Sequence, residues 1–319
     1  MNSALIGATG FVGGNLARHG FSKHYASRNI AEVAGKSFDT VVCAAAPGSM
    51  FEANASPDRD KAQIDALASH LTSLKTDQFV LISSIAVLAD FAGKDDETST
   101  RFQQELAYGR HRRALEEVCS DHFDRCLIMR LPALFGPRLK KNFIFDILNP
   151  VPTMLTPDRM SEARELDSGA WADRLDSIYQ WDSDVNMHRI DRAVLDATGD
   201  RAEMEKVLSE AGISAVGFTN PQSTYQYYNL DRLWDDAQNA LAAEIDVLHL
   251  ATEPLRADAI HLAVTGREMP ESAAKIHHED MRSCHTQLLR GETGPYLSSA
   301  EEVLEELCAF TTSAKDSRA

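Results

Sequence analysis

The sequence predicts an α/β protein in which a doubly wound, parallel sheet is accompanied by a smaller, mostly C-terminal lobe. Short apolar runs recur through the first 137 residues, and helical segments separate them. The runs are apolar throughout rather than alternating, which is typical of strands buried on both faces of a parallel sheet. A glycine-rich turn directly follows the first run, as it does at the start of a βαβ unit.

Five runs are predicted to be strands of this sheet. They lie at residues 1–6, 24–26, 38–44, 78–83 and 125–130. Because strands and helices alternate along this part of the chain, we expect the strands to be parallel and their carboxyl ends to share one edge of the sheet.

Helices are predicted between the runs. Ser56, Pro57 and Asp58 are typical of a helix start, with an N-cap, a proline at the first helical position and an acid in the first turn. Apolar residues then repeat at helical spacing. A further helix is predicted over 108–118, where it leads into the fifth run.

The pattern changes after Pro137. Residues 141–222 are mixed and acidic, are interrupted by prolines, and contain a predicted helix at about 190–208. Strand-like sequence returns at 225–230, which we expect to join the first sheet, and 246–250 is a candidate for one more strand.

The last helix begins at a capping box, Ser-Ala-Glu-Glu, at 299–302. The change of pattern divides the chain into two parts. Residues 1–140 plus about 223–252 are assigned to the sheet domain, and about 141–222 plus 253–319 are assigned to the second lobe.

The composition excludes several classes of protein. The chain has 319 residues and a formal net charge of −16, which argues against the basic face that nucleic acids or anionic membranes require. Its five cysteines are widely spaced and include no CxxC pair, which argues against a disulfide framework or a zinc ribbon. No apolar run approaches the roughly 18 residues that span a membrane. We therefore expect a cytoplasmic protein with reduced thiols.

Gly7, Gly10 and Gly13 form a GxxGxxG turn between the first strand and the first helix. Glycine allows the tight turn, the close approach of the backbone to a pyrophosphate, and close contact of helix with strand. The phosphates of a dinucleotide then meet free N–H groups at the start of the helix. The position of the turn favours dinucleotide binding by a Rossmann-like sheet over a merely structural turn.

The end of the second strand distinguishes NADP from NAD. NAD-binding sequences usually carry an acid roughly 20 residues after the first glycine, but Ser27, Arg28 and Asn29 occupy that place. No acid is present to repel a 2′-phosphate, and the Arg28 guanidinium can bind one through two hydrogen bonds. NADP is therefore the predicted cofactor and NAD the second choice. The alternative is that Arg28 is a solvated surface cation.

Tyr108 and Arg112 are four residues apart, on one face of the predicted helix. A neighbouring positive charge favours the phenolate form of a tyrosine. Such a tyrosine can exchange a proton with a carbonyl or an alcohol while a nicotinamide exchanges the hydride. Ser83 and Ser84 end the fourth strand, where a hydroxyl can orient the reacting oxygen. A tyrosine and an arginine at this spacing also occur in purely structural helices, so both roles stay open.

At these motifs the chain resembles the extended short-chain dehydrogenase/reductase family, the NAD-dependent epimerase/dehydratase group. The glycine turn at 7–13 is similar to its cofactor loop, and Tyr108 and Arg112 fall where it has Tyr-x-x-x-Lys. Ser84 matches its catalytic Ser or Thr. The segment 130–137 is similar to one that lies by the nicotinamide and the substrate in that family.

Together the motifs and the resemblance imply a catalytic set of Ser84, Tyr108 and Arg112. They also imply a group of cofactor-binding residues near the ends of the strands. These are Gly7, Thr9, Gly10, Phe11, Val12, Gly13, Ser27, Arg28, Ala44, Ala45, Ala46, Ser83, Tyr108, Arg112 and Pro132.

The chain departs from the family at several places. Arg112 replaces the family lysine, which hydrogen-bonds the nicotinamide ribose, and the planar fork of arginine reaches differently. Ala133 replaces an asparagine that contacts nucleotide-sugar substrates. Ile85 and Ala86 replace the Asp-Glu pair of the 4,6-dehydratases, which argues against that activity. The resemblance does not extend to about 141–222.

Two other clusters carry potential ligands. Residues 277–280 read His-His-Glu-Asp and are followed by Cys284 and His285, but they lack a recognised ligand spacing, so no metal site is predicted. Lys140 and Lys141 lie where the family begins its substrate lobe. They are either a site for an anionic group of the substrate or two solvated surface lysines.

The predicted activity is that of an NAD(P)-dependent oxidoreductase or epimerase of a polar secondary alcohol or ketone, with a sugar or sugar nucleotide as the implied substrate. One alternative is a carbonyl reductase of a less polar metabolite, which Ala133 favours. The other is a non-catalytic dinucleotide-binding protein, which Arg112 favours. We expect a small-molecule substrate and neither nucleic acid nor a membrane as partner, and a homodimer is left open.

Overall fold

The computed structural model describes residues 2–167, 170–291 and 293–316. This part of the chain divides into two compact units, and each has a hydrophobic core of its own. Unit 1 is drawn from Met1–Leu139, Thr224–Leu255 and His278–Ala314, and unit 2 from Lys140–Ser223, Arg256–His277 and Lys315–Ala319.

Strands and helices alternate through the first part of the chain, as predicted. The strands are β1 (Ser3–Ile6), β2 (Lys23–Tyr25), β3 (Ser37–Cys43), β4 (Lys75–Ser84), β5 (Cys126–Leu131), β6 (Ala133–Phe135), β7 (Met154–Leu155), β8 (Tyr179–Asp182), β9 (Met187–Ile190), β10 (Thr224–Tyr225), β11 (Tyr227–Asn229), β12 (Val247–His249) and β13 (Leu255–Arg256). The helices are α1 (Phe11–Leu16), α2 (Met50–Ala55), α3 (Pro57–Leu71), α4 (Ala107–His122), α5 (Phe143–Leu148), α6 (Pro157–Arg164), α7 (Trp171–Ile178), α8 (Arg192–Thr198), α9 (Arg201–Glu210), α10 (Leu233–Ala242), α11 (Ala257–Thr265), α12 (Thr286–Arg290) and α13 (Ala300–Asp316). Among the described residues, none of these helices combines the length and the apolar character that crossing a membrane requires.

The central sheet of unit 1 has six strands in the order β12-β5-β4-β3-β1-β2. Every neighbouring pair is parallel. The chain runs from β1 to β2 on one side and then crosses to β3 on the other, so the order of strands reverses beside β1. Ligands of doubly wound sheets bind outside the carboxyl ends of the strands at such a reversal. The predicted fold class is thereby confirmed.

Both faces of this sheet are buried, as the continuous apolar runs predicted. Val41 and Cys43 of β3 pack into one core cluster with α3 and α4. Val42, which lies between them, packs into a second cluster with α1 and α10. Burying an aliphatic side chain of this kind stabilises a fold by about 1.5–3 kcal/mol, so each strand of this type holds helices on both sides.

The prediction that 225–230 joins the main sheet was wrong. β11 lies in this segment, but it pairs in parallel with β6 in a separate two-stranded sheet of unit 1. β5 is followed by Pro132, which has no N–H group to continue the ladder, and β6 then leaves the main sheet. β12 takes the position beside β5 instead, in the segment predicted as one more strand.

The assignment of 253–319 to the second lobe is also corrected, because His278–Ala314 belongs to unit 1. Leu297 packs into the second core cluster of the central sheet. Arg290 donates to both oxygens of the buried Asp236 at 2.8 and 2.9 Å. These contacts join residues far apart in the chain, and no local pattern in the sequence indicates them.

Unit 2 contains a three-stranded antiparallel sheet in the order β7-β9-β8. Helices α6 to α9 contribute to a core that includes the fully buried Trp171. The single helix predicted at about 190–208 was wrong, because α8 ends at Gly199, whose φ is 75°, and α9 begins after it. Glycine adopts this left-handed conformation at little cost, so it ends one helix and allows the next to start in a new direction.

Asp146 on α5 destabilises unit 2 when it is ionised. Burial raises the pKa of its carboxyl group to about 7, although the positive charge of Arg192 lowers it. In the unfolded chain the carboxyl ionises near its ordinary pKa of 3.8. The protonated carboxyl group therefore makes a contribution to the stability of unit 2 that is fully present below pH 3.8. This contribution is lost as the pH rises through about 7.

We expect Asp146→Asn to raise the free energy of unfolding by on the order of 1–4 kcal/mol near pH 8. The gain should shrink as the pH falls and vanish well below pH 3.8, where the wild-type carboxyl is protonated in the folded and the unfolded chain alike. Urea unfolding over this range measures the gain. Asp173→Asn, which changes an exposed carboxylate of α7, is the control. A gain that is independent of pH would contradict the prediction.

Candidate active site

The turn after β1 depends on close contacts between backbone segments. Gly7 has a φ of 92°, and a Cβ atom on it would lie 2.4 Å from the carbonyl oxygen of Ala44. A Cβ atom on Gly13 would lie 2.1 Å from the carbonyl oxygen of Gly7. A side chain at either position would therefore push α1 or the end of β3 away from the turn.

The same turn leaves donors for an anion. The N-cap of α1 is Gly10, which offers no side-chain acceptor, so within the part of the chain that the structure describes no side-chain cap satisfies the N–H groups of the first turn. Thr9 and Gly10 are exposed, and Phe11 and Val12 are half-buried. A turn that lacks bulky side chains and lies next to a helix N-terminus fits the phosphates of a dinucleotide.

The other predicted cofactor residues follow the carboxyl ends of the strands. Ser27 and Arg28 are exposed after β2, Ala44 to Ala46 are half-buried after β3, and Pro132 is buried after β5. Since the strands of this sheet are parallel, these residues lie along the same edge as the glycine turn.

Ser83 and Ser84, neighbours at the end of β4, differ in their surroundings. Ser83 is buried and donates to Glu116 Oε1 at 2.5 Å. Ser84 is half-buried, and its Oγ accepts the N–H of Ala86 at 3.2 Å. The Ser84 hydroxyl proton has no acceptor in the part of the chain that the structure describes. Of the two serines, Ser84 is therefore the one that can donate to a ligand.

Gly109 holds α4 close to the end of β4. A Cβ atom on this glycine would lie 1.9 Å from the carbonyl oxygen of Ala86, which belongs to the short turn after Ser84. The preceding residue, Tyr108, donates its N–H to Asn54 Oδ1 at 3.0 Å. The backbone of Tyr108 is thus fixed on one side by α2 and on the other by the segment that carries Ser84.

Tyr108 and Arg112 lie together on α4, as their spacing predicted. The guanidinium Cζ of Arg112 is 4.0 Å from the centroid of the Tyr108 ring, a cation–π contact. Arg112 is buried, with 2% of its surface exposed, and Tyr108 is half-buried. The Tyr108 hydroxyl makes no hydrogen bond to any described residue, so it is free to bond to a ligand.

Reasoning from the sequence missed Asp60, the partner of Arg112. The two carboxylate oxygens accept Arg112 Nη1–H at 2.5 Å and Nη2–H at 2.8 Å, and Oδ2 also accepts His111 Nδ1–H at 2.7 Å. Burial raises the pKa of Asp60, but the hydrogen bonds and positive charge of these two residues outweigh it and lower the pKa below its ordinary value. A signal was available, because Asp60 shares the buried face of α3 with Ile64 and Leu67, where an unpaired carboxylate would be unstable.

A second buried carboxylate, Glu116, lies one turn after Arg112. It accepts hydrogen bonds from Arg130 Nε at 3.0 Å and Nη2 at 2.7 Å, and from Arg113 Nη1 at 3.1 Å. Arg130 Nη1 also lies 3.1 Å from Nε2 of His249. Burial lowers the pKa of His249, although the charge of a nearby glutamate opposes this, and a neutral ring can accept from the guanidinium. The network fastens α4 to the ends of β4, β5 and β12.

Three residues of the cluster at 277–280, namely His278, Glu279 and Asp280, are engaged in hydrogen bonds within unit 1. Beyond it, potential ligand atoms of Glu97, Cys284 and His285 lie within 4.8 Å of one another. Burial and the Glu97 carboxylate raise the pKa of the Cys284 thiol to about 11, which disfavours the thiolate that binds metals. That no metal binds here stays a prediction.

Unit 2 contains an open cleft of about 750 Å³. Lys140 lines it, as do Trp181, Arg189 and Arg192. The Trp181 ring is 51% exposed, and Arg189 Nε donates to Asp182 at 2.8 Å. Both signs of charge and an exposed aromatic ring therefore face the cleft, which suits a polar ligand with a flat ring.

Comparison with known proteins supports the resemblance predicted from the motifs. The model of the NAD dependent epimerase/dehydratase family matches residues 23–151, and with the fold this confirms that resemblance. The match begins after the glycine turn, so the geometry of that turn is separate support. No curated protein sequence matches the chain.

Several solved structures share the fold. A UDP-glucuronic acid 4-epimerase from Bacillus cereus, bound to a fluorinated UDP-glucuronic acid and NAD, is 11% identical with a TM-score of 0.65, and 99% of each chain is covered. A UDP-N-acetylglucosamine 4-epimerase from Methanobrevibacter ruminantium is 11% identical with a TM-score of 0.61, covering 98% of this chain and 97% of the other. RMD from Pseudomonas aeruginosa, complexed with NADPH, is 14% identical with a TM-score of 0.58, covering 98% and 100%. At such identities the likeness shows the fold.

We expect Gly109→Ala to lower the free energy of unfolding by about 1–3 kcal/mol, because the added methyl group collides with the Ala86 carbonyl. Gly217→Ala is the matched control, since its Cβ would meet nothing within 4 Å. Urea unfolding of both variants measures the difference. Equal stability of the two variants would show that α4 can withdraw from Ala86 without cost.

Proposed function

We propose that this protein, which resembles the NAD-dependent epimerase/dehydratase family over 23–151, is an NAD(P)-dependent oxidoreductase or epimerase of a polar secondary alcohol or its ketone. The observation that carries the proposal is the stacking of Tyr108 on the buried Arg112 close to the end of β4. That end belongs to the sheet edge that also carries the glycine turn. A sugar nucleotide is the proposed substrate class.

The glycine turn supports the cofactor assignment. Gly7 and Gly13 allow the backbone segments of the turn to come close together, and the first-turn N–H groups of α1 would bind a pyrophosphate. The segment 44–46 would line the crevice beside the turn, and Arg28 would bind the 2′-phosphate of NADP. When bound, a nicotinamide cofactor supplies hydride transfer.

Tyr108 would exchange a proton with the substrate, and Ser84 would position the substrate oxygen. In the reduction, the Tyr108 hydroxyl would give its proton to a ketone oxygen; in the oxidation, the deprotonated Tyr108 oxygen would take the proton of an alcohol. The Arg112 guanidinium lies 4.0 Å from the centroid of the Tyr108 ring and holds the ring in place through a cation–π contact. The Ser84 hydroxyl, which already accepts the Ala86 N–H, would donate its proton to the same substrate oxygen and fix its position.

Two observations support a sugar nucleotide as the substrate class. The similar structures include epimerases of UDP-glucuronic acid and UDP-N-acetylglucosamine. Taken by itself, unit 2 has a cleft whose Trp181 ring suits stacking on an aromatic base and whose Lys140 suits a phosphate group. A carbonyl reductase of a less polar metabolite is the second candidate, because Ala133 has no amide group to bind a polar substrate.

The choice between NADP and NAD is tested at Arg28. Arg28→Ala should weaken the binding of NADPH more than that of NADH, by the loss of one or two charge-assisted hydrogen bonds of about 1.5–3 kcal/mol each. Fluorescence titration with both dinucleotides measures this, and Lys23→Ala, which removes another exposed cation nearby in the sequence, is the control. Equal losses for both dinucleotides would contradict the assignment.

Turnover is tested at Tyr108. Tyr108→Phe should lower kcat by about 10²–10⁴-fold, the usual value of general acid–base catalysis, while NADPH affinity stays nearly unchanged. The assay follows UDP-sugars by NMR for epimer formation and ketones by NADPH absorbance. Tyr296→Phe, which removes a hydroxyl bonded to Asp280, is the control and should keep its activity. Wild-type protein that binds dinucleotide but turns over neither the UDP-sugars nor the ketones would favour the non-catalytic alternative.

A further inference from the structure

Arg112 joins three segments of unit 1. Its Nη1 and Nη2 groups donate to the two carboxylate oxygens of Asp60 on α3 at 2.5 and 2.8 Å. Nη2 also donates to the carbonyl oxygen of Pro47 at 2.6 Å, and Nη1 to the carbonyl oxygen of Tyr108 at 3.3 Å. Pro47 directly follows the half-buried segment 44–46 at the end of β3. One guanidinium therefore links α4, α3 and the loop after β3.

These contacts leave little of Arg112 for a ligand. The residue is 2% exposed, and both terminal nitrogens are engaged twice. Of the three guanidinium nitrogens of Arg112, Nε alone has no hydrogen-bond partner among the described residues. A lysine ammonium on its flexible stem can extend toward a ligand, whereas a guanidinium held in this way stays where its partners fix it. Arg112 therefore acts through the groups it contacts.

We infer, on the basis of the proposed function, that Asp60 is a positioning residue of the reaction. By binding both terminal nitrogens of Arg112 it holds the guanidinium against the Tyr108 ring and the Pro47 carbonyl. It thereby fixes the proton-exchanging side chain and the segment 44–47 beside the cofactor turn at the same time.

The charge of Asp60 is essential to this arrangement. Without it the guanidinium of Arg112 would be a buried cation with no counter-charge, which is strongly unfavourable. His111 donates to the same carboxylate and stabilises its ionised form. If the carboxylate is replaced by a neutral amide, Arg112 moves toward other acceptors. Tyr108 and Pro47, which contact its guanidinium, are then displaced.

The test compares Asp60→Asn with Asp236→Asn, a closely matched variant of the same unit. Asp236 is also buried, binds Arg290 through both oxygens at 2.8 and 2.9 Å, and accepts a third bond from Tyr228 at 2.7 Å. Both variants should lower the midpoint of thermal unfolding to a similar extent. Only Asp60→Asn should also weaken NADPH binding about tenfold and lower kcat by roughly 10–100-fold with a smaller change in KM, because misplacement by about 1 Å has effects of this size.

Arg112→Lys is a second variant that keeps the positive charge. One ammonium cannot span both oxygens of Asp60 and the Pro47 carbonyl, so we expect losses in NADPH affinity and kcat similar to those of Asp60→Asn. The double variant should be little worse than either single one, because the shared contact is already broken. Arg112→Lys with wild-type NADPH affinity and kcat would overturn the inference.

NADPH and NADH binding, read by fluorescence, needs no turnover, so the two proposals can fail separately. If Asp60→Asn and Asp236→Asn bind NADPH equally well at equal thermal stability, the positioning role is overturned and the proposed function stands. If wild-type protein binds dinucleotide but shows no turnover, the proposed reaction is overturned. A selective loss of NADPH affinity in Asp60→Asn would then still support the fixing of segment 44–47. Wild-type protein that binds neither dinucleotide would overturn both proposals.

Discussion

One stripe of α4 carries two buried charges of opposite sign, and much of unit 1 is arranged to pair them. Arg112 and Glu116 are one turn apart and are 2% and 0% exposed. A buried charge destabilises a protein unless a counter-charge and hydrogen bonds compensate it. Asp60 of α3 meets the first and Arg130 of β5 meets the second. The same pairing fixes α4 between its helical neighbour and the sheet, and Tyr108 lies on that stripe four residues before Arg112.

Features encoded by neighbouring residues could be predicted from the sequence. The continuous apolar run of β3 indicates burial on both faces, and Val41 and Val42 do pack into opposite clusters. The capping box at 299–302 forms as predicted, with Ser299 N–H donating to Glu302 and Glu302 N–H donating to Ser299. Features that depend on distant partners were missed. The segment 225–230 has the composition of a strand, but only the positions of β5 and β12 decide which sheet it joins.

The candidate site shows the same division. Helical spacing alone brings Tyr108 and Arg112 together, so the cation–π contact follows from the sequence. The partner of Arg112 lies 52 residues earlier, on another helix, and only the packing of α3 on α4 brings it there. The sequence identifies arginine as a departure from the family lysine. The structure shows why an arginine fits at position 112. Its planar guanidinium can bind the Asp60 carboxylate and the Pro47 carbonyl oxygen at the same time.

The two edges of the central sheet are its shortest strands. β2 and β12 each have three residues, whereas the four strands between them have from four to ten. An exposed sheet edge is a template on which another chain can add a strand, and short, charged edges are a common protection against aggregation. Lys23 and His24 are exposed on β2. A second molecule could therefore gain only a few hydrogen bonds at either edge, which disfavours both fibril-like stacking and the extension of this sheet across a dimer.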